Sequence, residues 1–256
     1  MQKLADLLIA ARRAGQQIEG PFPSELMPPD ADTGYAVNAL VAAGLAWQPL
    51  SWKIAGTTDD VRKKLRISNP IYGRTYRQFA AESPTTLVHW ELLDPLVECE
   101  FFVTLAQPLE SRDEPWTMEE ICAAVGSVHA GVEVAECRFS MKALPSLPAI
   151  LADGSASGRY IYGSAISEPL SALPDVQVEL KVDGVAIRRG SGVDVMGHPI
   201  TPLLWLAEER RRNGFGLAAG EMISTGSCTG MLPARAGQNV RVTFGSDAIV
   251  DITFET

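Results

Sequence analysis

Long apolar runs, paired cysteines and a basic surface are all missing from this chain. No hydrophobic stretch approaches the roughly 18–20 residues that cross a bilayer. The four cysteines, Cys99, Cys122, Cys137 and Cys228, form no C-x-x-C pair and no tight framework. They read as buried thiols of a reducing cytoplasm. The three histidines share no metal-ligand spacing with one another or with a cysteine, which argues against a zinc enzyme. Lys and Arg together number 22 against 31 Asp and Glu, a formal net charge of −9. Phosphate binding needs a basic face, so no nucleic-acid partner is expected. No glycine run leads into Gly-Lys-Ser/Thr, and no Gly-x-Ser-x-Gly elbow occurs. Spacing suggests no Ser-His-Asp set. His198, just before a helical pattern, reads as a structural polar group.

What remains is the composition of a globular protein: 256 residues, 46% of them apolar and 21% charged. Residues 1–46 carry a helical pattern. Leu4, Leu7, Leu8 and Ala11 recur at helical spacing. Charges inside this first stretch mark an amphipathic helix rather than a signal peptide. A second helix follows in PPDADTGYAVNALVAAG, with Asp30 or Asp32 as N-cap and Gly44 as the stop. Beyond residue 47 the pattern turns to strand, over 48–55, 86–91, 96–105, 126–137, 176–182, 185–189, 240–244 and 248–254. Asp183-Gly184 predicts a tight hairpin. Helices are expected at 117–125 and at 200–213, the latter closed by Gly214. Strands and helices do not alternate, so a doubly wound parallel sheet is disfavoured. The expected fold is α+β and mainly β: a helical region over 1–46, then a mixed-β domain over 47–256, forming one compact unit.

Candidate chemistry begins at VECEFFVTL, residues 97–105. Glu98 and Glu100 are two apart and share one strand face. Two carboxylates side by side repel unless something offsets them, and a divalent cation does so. A solvent-facing strand is the plain alternative, but the apolar flanks disfavour it. In GVEVAECRF, Glu133 and Glu136 face opposite sides of a strand, and Glu133 has the more apolar neighbours. A buried carboxylate there needs a partner. Lys53, between Trp52 and Ile54, either snorkels to water or sits beside an anion. Residues 151–163 and 224–240 are rich in small residues and offer backbone N–H groups and hydroxyls to a carboxylate, or are plain turns.

Taken in order, these segments resemble a known family. The series is Lys53 in WKIAGT, Pro70-Ile71-Tyr72-Gly73, Glu98-x-Glu100, Glu133, ADGSASGRYIYG, GHPITPLLWLA and ISTGSCTG with an AGQNV turn. It is similar to the 2-keto-4-pentenoate hydratase and 4-oxalocrotonate decarboxylase branch of the fumarylacetoacetate hydrolase superfamily, from about residue 30 to 254. The resemblance implies a mixed β-roll or barrel preceded by helices. It implies Mg²⁺ or Mn²⁺ held by Glu98, Glu100 and Glu133, with Lys53 beside the substrate. It also implies that Asp153, Ser155, Ser157, Thr225 and Ser227 hold the substrate's carboxylate end. The expected reaction is hydration of a 2-hydroxy-dienoate or 2-oxo-enoate, through an enolate that the metal and Lys53 stabilise. Lys53 is expected to act through its charge rather than as a proton donor, because nearby glutamates keep its pKa high.

The chain departs from the family pattern at four places. Trp52 replaces a basic residue, Ala55 a glycine, Ile71 an acid and Gly154 an asparagine. The alternatives are decarboxylation of a 2-oxo-dienedioate, with Arg74 or Arg77 receiving a second carboxylate; C–C hydrolysis of an acylpyruvate; and a non-catalytic partner role. A cytoplasmic homo-oligomer is expected, with association with a related decarboxylase or hydratase.

Overall fold

A computed structural model describes the backbone of residues 1–256 and all side chains except those of Asp60, Lys64 and Leu65. Helices α1 (Gln2–Ala14) and α2 (Ala31–Leu45) come first, followed by β1 (Pro49–Ala55), α3 (Asp59–Leu65), β2 (Ile71–Tyr76), β3 (Ala80–Glu82) and β4 (Thr85–Val88). The long strands β5 (Leu96–Leu105) and β6 (Val125–Ala135) flank α4 (Met118–Ala124). Then come α5 (Leu147–Ala152), β7 (Arg159–Ala165), β8 (Gln177–Val182), β9 (Val185–Ser191) and α6 (Thr201–Arg212). Strands β10 (Met222–Ser224), β11 (Leu232–Pro233), β12 (Asn239–Phe244) and β13 (Ala248–Glu255) complete the chain.

Two sheets carry the structure. The larger runs β2-β1-β10-β5-β6-β7-β3, with β11 also on β5; the smaller runs β4-β13-β12-β8-β9. Parallel and antiparallel pairs mix, as β1 lies parallel to β10 and β5 antiparallel to β6. The fold is therefore the expected α+β type, a curled mixed sheet preceded by helices. Alternation on β5 explains much of it. Val97, Cys99, Phe101 and Val103 enter the core between the sheets, where Phe101 meets Phe244 edge-on at 5.2 Å. Their alternates Glu98 and Glu100 are left on the opposite face.

Local signals act largely as the sequence suggests. The Asp30 carboxylate accepts the Thr33 N–H at 2.8 Å and starts α2. Asp183 and Gly184 both have positive φ, as a two-residue hairpin turn requires. Some expectations need correction. Helix α2 does not stop at Gly44; it runs to Leu45 and ends on Ala46 in the left-handed region. Gly44 instead marks close packing, because a Cβ there would collide with Ile9 of α1. The strand expected over 86–91 ends at Val88 and gives way to one 3₁₀ turn, His89–Glu91. Cys122 is half-buried, while Cys99, Cys137 and Cys228 are buried, and all four are free thiols. No helix is long and apolar enough to cross a membrane, among the described residues.

The helices dock through a second core, in which Leu4, Leu8, Val37 and Val41 pack on Tyr76, Phe139 and Ala149. A buried ion cluster joins the same parts. Asp153 receives Arg12 of α1 at 3.1 Å, and Arg138 through both its backbone N–H (2.9 Å) and its Nε (3.1 Å). Arg138 also donates to the Ser157 carbonyl at 2.8 Å. Breaking a buried pair from one side leaves an uncompensated charge and costs about 3–5 kcal/mol. Asp153→Asn should accordingly lower the urea midpoint by an amount worth about 3 kcal/mol or more. A midpoint unchanged from the wild type would show that the cluster does not hold the helices to the sheet.

Candidate active site

Sheet register assembles the site. Glu98 on β5 pairs with Glu133 on β6, and Glu133 in turn lies opposite Tyr160 on β7. On the other side of β5, Ser224 of β10 pairs with Lys53 of β1. Five adjacent strands thus present their chemistry on one face. Carboxylate oxygens of Glu98, Glu100 and Glu133 lie within 4.8 Å of one another. Lys53 Nζ lies 3.2 and 3.3 Å from the two oxygens of Glu133 and is almost wholly buried.

Each glutamate is held differently. Glu133 receives the Tyr160 hydroxyl at 3.0 Å as well as the ammonium. The Tyr160 oxygen contacts Ser157 Oγ at 2.9 Å, and Ser157 bonds the Arg74 carbonyl at 2.9 Å. One oxygen of Glu100 accepts from both Ser224 Oγ and the Gly226 N–H, the latter at 2.9 Å. Gly226 must be glycine: its φ is +96°, and a Cβ would collide with Thr57. Glu98 has no donor among the described residues. Burial, then Glu133, pushes the Glu98 carboxyl up to about 7, against the pull of Lys53. Burial, Glu133 and Glu98 raise Glu100 well above the carboxylate range. Burial lowers the Lys53 ammonium, but the three glutamates together outweigh it and its pKa stays raised.

A cavity of about 320 Å³ opens above this cluster, lined by Lys53 and Glu98 together with Ala55, Ile71, Ser155 and Ser227. The site residues expected from the sequence divide accordingly. Lys53, Glu98, Glu100 and Glu133 converge. Ser155 and Ser227 line the cavity, although Ser155 Oγ donates to the Tyr72 carbonyl and Ser227 Oγ to that of Gly230. Asp153, Ser157 and Thr225 do not line it. Asp153 is enclosed by Arg12 and Arg138, Ser157 stands behind Tyr160, and Thr225 bonds the Phe101 carbonyl. The reason is that these segments are turn or loop, with positive φ at Gly154, Ser155, Ala156 and Gly226, so residues two apart do not share a face as they would on a strand. Glu136 turns away from the trio, to the Leu93 N–H and to Arg159. Arg74 stacks 3.8 Å over Trp52 and pairs with Glu221, and Arg77 is exposed; neither lines the cavity. His198 bonds the Leu170 carbonyl and the Ile200 N–H, a structural part. Tyr160 escaped sequence reasoning. Its only signal was the placement of RYIYG beside a strand carrying Glu133.

Among known proteins, a 2-keto-4-pentenoate hydratase of Paraburkholderia xenovorans is 26% identical over 240 residues, covering 92% of this chain and 88% of the relative. A 4-oxalocrotonate decarboxylase of Pseudomonas putida is 27% identical over 186 residues, 71% of this chain and 68% of the relative. No protein-family model matches. The solved 4-oxalocrotonate decarboxylase of Pseudomonas putida G7, complexed with magnesium and adipate, superposes with a TM-score of 0.89 at 22% identity, over 99% of this chain and 97% of that one. The fold is that of fumarylacetoacetate hydrolase family proteins: one from Yersinia pestis CO92 superposes with a TM-score of 0.59 at 15% identity, over 81% of this chain and 93% of that one. In sequence, the chain is similar to 2-keto-4-pentenoate hydratases and to a 4-oxalocrotonate decarboxylase.

Clustering three carboxylates has a stability consequence. A carboxyl whose pKa is raised on folding destabilises the fold as pH climbs through the ordinary carboxylate value, and does so fully above its folded value. For Glu98 that window ends near pH 7. Glu98→Gln should therefore stabilise the metal-free protein by about 1–2 kcal/mol at pH 7.5. Mg²⁺ or Mn²⁺ should raise the melting temperature of the wild type, and the variant should lose that shift. Differential scanning fluorimetry with and without EDTA checks both; a variant that melts lower and keeps the metal shift would contradict the account.

Proposed function

We propose that this protein is a divalent-metal-dependent hydro-lyase that hydrates a 2-hydroxy-dienoate or its 2-oxo-enoate form. The observation that carries the reading is the trio of buried Glu100 and Glu133 with half-buried Glu98, bonded to Lys53, where Glu98 and Lys53 line a cavity. The donor set suits Mg²⁺ or Mn²⁺: all ligand atoms are hard oxygens, and the three carboxylates, once ionised, exceed the one ammonium by two charges, which a divalent ion neutralises. Such an ion, when bound, supplies Lewis-acid stabilisation of the negative charge that develops on a 2-oxo acid.

The chain's own groups do the rest. Ser224, Gly226 and Tyr160 fix the carboxylates, so little reorganisation accompanies the reaction. The Lys53 ammonium, fixed on Glu133, faces the cavity and stabilises charge as a proton moves along the substrate. The glutamates keep it protonated, which favours an electrostatic role over proton donation. Hydration is favoured over decarboxylation of a dioate because Lys53 is the one cation lining the cavity, among the described residues. By the family resemblance, the protein works in the cytoplasm as a homo-oligomer. Sedimentation at working concentration showing only a 27.6 kDa species would contradict that assembly.

Lys53→Ala should lower kcat on an accepted dienoate by about 10² to 10³, the usual effect of removing a preorganised stabilising group. Calorimetric metal affinity should hold or strengthen, because the remaining cluster is more negative. Lys53→Arg should restore little, as a planar fork does not reproduce a compact ammonium. Near-normal turnover in Lys53→Ala would remove the lysine from the mechanism.

A further inference from the structure

We propose that the cavity selects 2-oxo acids whose end remote from C1 is an apolar chain or ring of more than five carbons in total, and that Ile71, Met141, Leu144 and Met231 set this preference. The inference rests on the functional reading above and extends it to the distal half of the ligand.

Three observations carry it. The first is the wall. Away from Lys53 and Glu98, the lining is made by apolar side chains such as Val61, Ile71, Leu96 and Ile150. Ile71 is buried on this wall. With a volume of about 320 Å³, the cavity lies at the lower end of the roughly 300–1,000 Å³ typical of small-molecule sites, more room than a five-carbon acid fills.

The second is the mouth. Met141, Leu144 and Met231 line the cavity and are 41%, 43% and 48% exposed. Apolar surface gathered around one opening signals a ligand that covers it. Methionine adapts to irregular apolar partners, which suits a variable tail.

The third is charge. Besides the floor, the charged residues on the lining are Asp94 and Glu136, among the described residues, and both are acids. Asp94 is held by Gln17 and the Met141 N–H, and Glu136 by the Leu93 N–H and Arg159. A second carboxylate on the ligand would meet these acids, and no cation besides Lys53 lines the cavity among the described residues; Lys142, near Asp94, is exposed and lies off the lining. A dioate is therefore disfavoured, and an uncharged tail loses nothing.

The test is calorimetric and needs no turnover. Saturated 2-oxo acids are titrated into the Mg²⁺-loaded wild type: 2-oxopentanoate, 2-oxohexanoate, 2-oxooctanoate and the dioate 2-oxoadipate. Affinity should rise about three- to fourfold per added methylene, as apolar burial predicts. The six-carbon dioate should bind about tenfold or more weakly than 2-oxohexanoate, since like charges meet at its far end. Met231→Lys, at an exposed position, should weaken 2-oxooctanoate and strengthen 2-oxoadipate, narrowing or reversing the ratio of the two affinities; Ile71→Lys should do the same from the inner wall. Equal affinities along the series, or a dioate bound as tightly as the monoacid, would overturn the proposal and leave the hydratase reading standing. If no 2-oxo acid binds with Mg²⁺ present, both fail together.

Discussion

Three carboxylates forced together, Glu100 and Glu133 out of water and Glu98 half-buried, are the constraint on which the rest of the site depends. Each alone would cost free energy on burial, and together they repel. The sheet nevertheless fixes them side by side, because Glu98 and Glu133 are register partners and Glu100 follows two residues on. The strain is eased in part by Lys53, whose ammonium meets both oxygens of Glu133. One positive charge does not offset three negative ones. A site left in this electrostatic debt suits a divalent cation, which is the reading proposed above.

That support is unequal, and the inequality is informative. Glu100 has one oxygen occupied by Ser224 and Gly226, and Glu133 is pinned by Tyr160 and Lys53. Glu98 is free of donors among the described residues and opens onto the cavity. Two rigid ligands and one adaptable one give a site that is preorganised yet can be entered. Behind it, Ser157 links Tyr160 to the Arg74 carbonyl, and Asp153 ties the following segment to α1 through Arg12. The N-terminal helices thus brace the wall that carries Ser155, while the metal-ligand strands stay in the sheet.

How much of this was legible in the sequence depends on the kind of signal. Alternation on β5 placed Glu98 and Glu100 on one face, and the choice of Glu133 over Glu136 followed from its apolar neighbours. Caps and the Asp183-Gly184 turn were equally readable, since both act within a few residues. The short strands β2, β7 and β10 were not, because they are defined by pairing with distant partners rather than by their own pattern. For the same reason Tyr160 went unnoticed. Asp153 was read as facing a ligand, and it faces two arginines instead, one of them 141 residues away. Long-range ion pairing of that kind leaves no local trace. Arg74 likewise satisfies Trp52 and Glu221, which removes it as a partner for a second substrate carboxylate.

The central claim is that the glutamate trio is a divalent-cation site, and anomalous scattering from crystals soaked in Mn²⁺ tests it most directly. The account predicts a single strong peak bonded to one oxygen each of Glu98, Glu100 and Glu133, at about 2.0–2.3 Å as expected for a hard cation, with Lys53 outside the coordination sphere. No peak among these three residues, or a peak only at surface carboxylates elsewhere, would contradict it.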